Sequence, residues 1–182
     1  MAASFENRVN SPEMRYAYQL AYSMRMLAEI SDRYQTAQDS DDLLPALAML
    51  DAFYVHIRLI AEFLTRKTNT LDFGPAQFGV EGWTAPSTHS AERLTDYWHR
   101  ASKYVMHFGH DRVPANLDEL QSFEVTAATL QTMTRDAVDV LDAFVAQMEA
   151  NDEGSPVLTG QRLRAQLLRA ELDRSKSLLE EG

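Results

Sequence analysis

A regular apolar spacing in residues 43–64 constrains the fold of this chain more than any other feature. Seven residues there follow one another at intervals of four and three: Leu43, Leu47, Leu50, Tyr54, Ile57, Ala61 and Leu64. This interval puts them on one face of an α-helix. Further large apolar residues widen that face, and only Asp51, Arg58 and Glu62 form a polar strip. A helix that is apolar nearly all round is expected at the centre of a bundle.

The same helical period recurs in three other segments, so the sequence predicts an all-α fold. The first predicted helix covers residues 11–35, the third residues 87–109, and the fourth residues 116–150, with a strongly acidic outer face. Each begins at a residue type that caps helix N-termini. Gly109 is a typical C-terminal stop for the third helix.

Two stretches interrupt this pattern. The loop at 67–87 is rich in Gly and Pro, and Trp83, Phe73 and Phe78 are expected to attach it to the bundle. After a linker at 151–156, residues 161–180 form a predicted helical tail that docks on the bundle, pairs with another subunit or is partly ordered. The sequence therefore predicts an antiparallel four- to five-helix bundle over residues 1–151, with residues 152–182 as a linker and C-terminal helical appendage.

Composition excludes several classes of protein. The chain has no cysteine, which rules out disulfides, thiolate metal sites and cysteine nucleophiles and is typical of a cytoplasmic protein. Its formal net charge of −10 argues against non-specific nucleic-acid binding and against an anionic membrane surface. The N-terminus lacks the apolar segment of a signal peptide, and no run of about 18 apolar residues predicts a membrane span. We therefore expect no membrane partner.

The basic stretch 98–113 is the main candidate for chemistry. It holds three of the five histidines together with Arg100, Lys103 and Arg112. On a helix, Arg100, Lys103 and His107 lie within about 60° of one another and opposite the apolar stripe of residues 98, 101 and 105. An arginine beside a histidine can neutralise a phosphate and transfer a proton, as metal-free RNA cleavage requires. The alternative is the ordinary polar face of an amphipathic helix.

The spacing of Arg100 and His107, an Arg followed after six residues by a His, resembles the signature of the HEPN superfamily (higher eukaryotes and prokaryotes nucleotide-binding domains). The window 102–107 is similar to a run in bacterial abortive-infection proteins of this type, in which an earlier helix carries a pattern matched here by His56, Arg58, Glu62 and Phe63. A downstream arginine like Arg112 also recurs in them. One position departs from the pattern, because Ala101 replaces the Asn, Asp or His usual in active members.

The resemblance implies a metal-independent endoribonuclease or RNA-binding protein of a bacterial defence or toxin system. Arg100 and His107 would be its catalytic pair. Lys103, His110 and Arg112 are the candidate RNA-binding residues of the same stretch. The resemblance also implies a homodimer with the motif at its interface, and neither a metal nor another cofactor is expected.

Three alternatives rest on other residues. His107, His110 and Asp111, joined by His56, could form a metal site, although Gly109 separates the first two. A lone His56 among apolar neighbours is better explained as a buried residue with one hydrogen bond, and Arg58 as part of an ion network with Asp51 and Glu62.

The alternative function is a non-enzymatic helical module that binds a partner protein through the acidic fourth helix or the C-terminal helix.

Overall fold

The computed structural model describes residues 12–40, 44–66, 73–106, 125–152 and 160–181. In these ranges the chain forms five α-helices: α1 (Pro12–Gln38), α2 (Leu44–Thr65), α3 (His89–Met106), α4 (Ala127–Asp152) and α5 (Gly160–Glu181). A short 3-10 helix, Pro75–Phe78, lies between α2 and α3. No strand occurs in the described ranges, so the predicted all-α helical bundle is confirmed.

The apolar core is shared by all five helices, and α4 contacts each of the other four. Its side chains Leu130, Leu141 and Phe144 are at most 1% exposed. The second predicted helix is therefore not the central one, and that expectation is wrong. The outer side of α2 exposes Leu44, Leu47, Val55 and Leu59 to solvent. Apolar composition indicates that a helix surface favours contact with a partner. It does not show that the rest of the fold covers that surface.

A helix boundary also corrects the predicted fourth helix. Val125 and Thr126 are non-helical, and α4 begins at Ala127. The Thr126 hydroxyl caps the new helix by accepting a hydrogen bond from the Thr129 N–H at 3.1 Å. One uninterrupted helix over 116–150 was expected because the apolar spacing continues across this cap; residues 116–124 lie outside the described residues.

The C-terminal helix docks on its own bundle, which decides among the three placements left open by the sequence. Leu168 and Leu172 of α5 are fully buried in the common core. At the rim, the Arg25 guanidinium of α1 lies 2.5 Å from the Glu171 carboxylate of α5. α5 is therefore held by apolar packing and by charge pairing.

The acidic side of α4 faces the chain's own cations. Lys176 of α5 lies 2.8 Å from Asp142, and Arg169 binds both Asp142 and Glu149. Burial alone would raise the pKa of Asp142, but the hydrogen bonds from Lys176 and Arg169 outweigh it and hold that pKa below its usual value. These carboxylates neutralise Arg169 and Lys176 of α5.

The prediction that the acidic residues of the fourth helix face outward is wrong for Asp136, which is only 2% exposed. Its carboxylate accepts hydrogen bonds from Arg93 at 2.5 and 2.7 Å and from the Tyr97 hydroxyl at 2.8 Å. Burial, reinforced by the hydrogen bond to Asp136, raises the pKa of Tyr97 to about 12. A buried carboxylate needs such partners, because an unpaired one would be strongly destabilising.

Aromatic side chains attach the loop before α3, as the sequence predicts. Phe73 stacks on Tyr16 with ring centroids 3.7 Å apart. Phe78 is fully buried, with its ring centroid 5.7 Å from that of Phe144. The Trp83 indole N–H donates to the Leu64 carbonyl at 2.8 Å, so the loop is tied to the end of α2.

Among the helices that the structure describes, α2 is the one long and apolar enough to cross a membrane by length and composition alone. Only 39% of the relevant 18-residue window is buried inside the fold. The core helix of a soluble protein passes the same test, so this property does not by itself indicate a membrane span.

Replacing Phe78 with alanine tests the aromatic attachment of the loop. Because Phe78 is fully buried, Phe78→Ala should lower the free energy of unfolding by about 3 kcal/mol, measured by urea denaturation. Gln77→Ala, in the same 3-10 helix, removes one hydrogen bond to the Gly74 N–H and should cost less than about 1 kcal/mol. Equal losses in the two variants would contradict this account.

Removing the charge of Asp136 tests the buried cluster between α3 and α4. Asp136→Asn should clearly lower the melting temperature, because the amide cannot accept all three hydrogen bonds now made by the carboxylate. Asp139→Asn is the matched control, since Asp139 is exposed and its carboxylate accepts a hydrogen bond from the exposed Ser90 hydroxyl. Similar melting curves for both variants would show that the Asp136 cluster does not stabilise the fold.

Candidate functional site

The predicted site residues divide into two groups. Arg100 and Lys103 lie on the last two turns of α3, and both side chains are exposed. His107, His110 and Arg112 lie outside the described residues. The pairing of Arg100 with His107 therefore stays a prediction.

Within the described ranges, Arg100 and Lys103 make no ion pair, a property that they share with Arg15 and Arg33 of α1. Within the described ranges, ion pairs engage most of the other basic side chains: Arg25, Arg58, Arg93, Arg162, Arg169, Arg174 and Lys176. Neither Arg100 nor Lys103 makes a hydrogen bond or an ion pair with a described residue. Two adjacent cations without a described partner form a surface that can accept an anion.

A cluster of polar contacts between α2 and α3 lies beside these cations. Arg58 donates from Nε to the Ser102 hydroxyl at 3.1 Å and pairs with Glu62 at 3.3 Å, which confirms the predicted Arg58–Glu62 contact. The Arg66 guanidinium lies 3.9 Å from the centroid of the Trp98 ring. Arg66 thus adds positive charge beside Trp98, whereas Glu62 balances the charge of Arg58.

Tyr97 and Trp98 of α3 contact other parts of the bundle. Arg66 covers one face of the half-buried Trp98 ring, and the Trp98 indole N–H donates to Glu62 at 3.4 Å. Tyr97 is buried against Asp136. These contacts favour a packing role over base stacking for both residues.

The pKa of Tyr54 in α2 responds to the charge of Arg100 in α3. Burial raises the pKa of Tyr54, and the positive charge of Arg100 acts in the opposite direction. Arg100 therefore lies close enough to the α2 surface to influence a half-buried phenol there.

His56 has the structural role that the sequence predicts. The side chain is buried, its Nδ1 lies 3.2 Å from the Ser23 hydroxyl, and the ring packs edge-on against Tyr22 with centroids 5.3 Å apart. Its hydrogen-bond partner is therefore a hydroxyl of α1. Burial lowers the pKa of His56, since it disfavours the charged imidazolium.

The described residues contain no cluster of ligands for the alternative metal site. Among the residues that the structure describes, no group of three His, Cys, Asp or Glu side chains lies together. His107, His110 and Asp111 lie outside those ranges, so this alternative to the metal-free prediction is not tested.

Sequence reasoning missed two features of this region. The contact between Arg66 and Trp98 joins residues 32 positions apart, which no local pattern indicates. The exposed side of α2 was also missed, although its apolar residues exceed what one buried face requires. This excess of apolar residues is the sequence signal that could have indicated the exposed side of α2.

No family model matches this chain, and no curated protein or solved structure shows significant similarity to it.

His56 predicts a pH dependence of stability. In the unfolded chain a histidine titrates near pH 6.5, whereas burial lowers the pKa of His56 in the fold. The unfolded state therefore binds the proton at a higher pH than the folded state does. The contribution of buried, neutral His56 to the free energy of unfolding is complete above about pH 6.5 and is lost as the pH falls through the folded pKa. His56→Gln should reduce the slope of unfolding free energy between about pH 7 and 5.

His89→Gln is the control for this measurement, since the His89 side chain is 90% exposed. It should leave the slope close to that of the parent protein. A slope unchanged in His56→Gln would contradict the assignment.

Proposed function

We propose that this chain binds RNA through the exposed cations at the end of α3 and cleaves it without a metal ion. One observation supports this above the others. In a protein with a net charge of −10, Arg100 and Lys103 share an exposed face and have no ion pair within the described residues. Such cations are available to phosphate, whereas most of the others stabilise the bundle.

The proposed chemistry uses Arg100 and His107. His107 follows the last described residue of α3, and a helix continued by one residue would put it about 20° from Arg100 around the helix axis. The neutral imidazole accepts the proton of a ribose 2′-hydroxyl, and the 2′-oxygen bonds to phosphorus. The bond from phosphorus to the 5′-oxygen breaks as that oxygen takes up a proton from solvent, and the imidazolium then returns its proton to solvent. The products are a 2′,3′-cyclic phosphate and a 5′-hydroxyl.

Arg100 would neutralise the extra charge that develops on the phosphate oxygens during this step, and Lys103 would hold the neighbouring phosphate. The resemblance to HEPN proteins adds support and suggests a bacterial defence or toxin system acting on cytoplasmic RNA. Ala101, where active members usually carry a polar residue, is fully buried in the α3 stripe. Cleavage would then rely on Arg100, Lys103 and His107 alone.

The test uses purified full-length protein, a labelled single-stranded RNA and excess EDTA. The parent protein should cleave the RNA, and His107→Ala should reduce the rate by about 100-fold or more while RNA binding persists. Arg100→Ala combined with Lys103→Ala should weaken binding and lower the dependence of log K on log salt by about 1.4, as loss of two phosphate contacts predicts.

Arg33→Ala is the matched control, because Arg33 is an exposed arginine on α1. It should leave binding and cleavage unchanged. Equal RNA degradation by the parent protein and His107→Ala would overturn the enzymatic proposal. Equal RNA binding by the parent and the Arg100/Lys103 double variant would overturn the binding proposal as well.

A further inference from the structure

A groove with a volume of about 150 Å³ lies between α1, α2 and the loop before α3. Most of the described residues that line it are apolar, and half of them are aromatic. The aromatic ones are Tyr16 of α1, Phe63 of α2, and Phe73 and Phe78 of the loop. We call it the aromatic groove. Sites for small molecules are typically concave and lined by apolar and aromatic side chains, with a few polar groups that orient the ligand.

The rings that line the aromatic groove already contact one another in the geometries that aromatic pairs prefer. Tyr16 and Phe73 are stacked, with ring centroids 3.7 Å apart. Phe78 packs edge-on against Phe63 and Phe73, with centroids 5.3 and 5.1 Å apart. An aromatic ligand would extend this arrangement, because the positive edge of one ring attracts the negative face of the next. An aliphatic ligand of the same size would gain only the burial of its surface.

The size and the opening of the groove limit the ligand to about one ring. An apolar cavity of about 150 Å³ stays free of water and accepts benzene. Tyr16 is 46% exposed and Leu59, which also lines the groove, is 40% exposed. The groove is therefore open to solvent on this side, and a ligand can enter without unfolding of the bundle.

The charges around the groove favour a neutral ligand. No charged side chain is among the described residues that line it. Two charged residues are next to lining residues in the sequence. Arg15 is exposed on α1, and Glu62 forms an ion pair with Arg58. A charged ligand would lose hydration in the groove without gaining an ionic partner from its described lining.

Ser23 supplies a buried polar group to the same groove. The side chain lines the groove, is only 2% exposed, and has its hydroxyl 3.2 Å from His56 Nδ1. A serine hydroxyl can donate one hydrogen bond and accept two. The contact with His56 uses one of these three, so a ligand with one hydroxyl group can be oriented by Ser23.

We propose that the aromatic groove binds a neutral compound with one aromatic ring and one hydroxyl group, a ligand of the phenol class. The ring packs against Phe63, Phe73 and Phe78, and the hydroxyl group forms a hydrogen bond with Ser23. The bound ring contacts α1, α2 and the loop at once. The site uses none of the residues to which RNA binding and cleavage are assigned.

The test is a titration of the isotope-labelled full chain with phenol, followed by NMR. Backbone signals of Ser23 and Leu59 should shift and saturate with a Kd of roughly 1 mM or below, which a ligand of this size can reach. Cyclohexanol has nearly the same size without an aromatic ring, and benzoate has the ring with a negative charge. Each should bind at least about 10-fold more weakly than phenol.

A tryptophan at position 59 tests the location of the site. Leu59→Trp would place an indole ring in the groove and should raise the Kd of phenol by about 10-fold or more. Leu47→Trp is the matched control, because it makes the same substitution at a 56% exposed position of α2 that does not line the groove. It should keep the Kd of the parent protein. Since both positions are exposed, circular dichroism should report the parent fold for both variants.

Ser23→Ala tests the hydrogen bond separately from the packing of the ring. It should weaken phenol binding by about 10-fold, as loss of a buried hydrogen bond predicts. Binding of toluene, which has a methyl group in place of the hydroxyl group, should be unchanged. The toluene measurement also shows that the groove of the variant is intact.

Absence of saturable shifts with phenol would overturn the proposal, as would cyclohexanol or benzoate binding as tightly as phenol. Equal phenol binding by Leu59→Trp and the parent protein would also overturn it, and so would equal loss of phenol and toluene binding in Ser23→Ala. RNA cleavage is measured through His107, so failure of this site and failure of the proposed nuclease are distinguishable.

Discussion

Apolar packing around α4 is the constraint on which the rest of the structure depends. α4 contacts every other helix, and its fully buried Phe144 lies within ring-contact distance of aromatic side chains from α2 and from the loop before α3. Burial of these side chains supplies the hydrophobic driving force for folding, which has no preferred direction. It also orders the loop, because Phe78 and Trp83 pack against the same ring. α3 in turn packs against α2 and α4.

Ionic contacts then give the packed helices their orientation. Asp136 is buried where α3 crosses α4, and Arg93 and Tyr97 must be placed to satisfy it. Glu171 and Asp142 bind α5 to α1 and α4 in a similar way. Paired charges at the edge of a core contribute modest stability but exclude arrangements that would leave one of them unpaired. They also engage half of the described Arg and Lys side chains, whereas Arg100 and Lys103 make no ion pair with a described residue.

Two parts of the molecular surface differ in physical character. The end of α3 presents positive charge to solvent, which suits a phosphate backbone. The outer sides of α1 and α2 instead expose apolar and tyrosine side chains. α2 contributes to both, since Arg58 reaches Ser102 of α3 whereas Val55 and Leu59 point to solvent. The unusual apolar content of α2 thus has a physical explanation that does not require a central position.

The sequence by itself determined the all-α class, the approximate helix positions, the aromatic attachment of the loop and the Arg58–Glu62 pair, because each depends on helical period or on residues close in the chain. It also indicated that Arg100 and Lys103 share one face of α3. Only the tertiary structure decided that α4 rather than α2 is central, that Asp136 is buried, and that α5 docks on its own bundle. Those outcomes depend on which surfaces meet across long sequence separations, and the spacing of apolar residues along one helix carries no information about its neighbours.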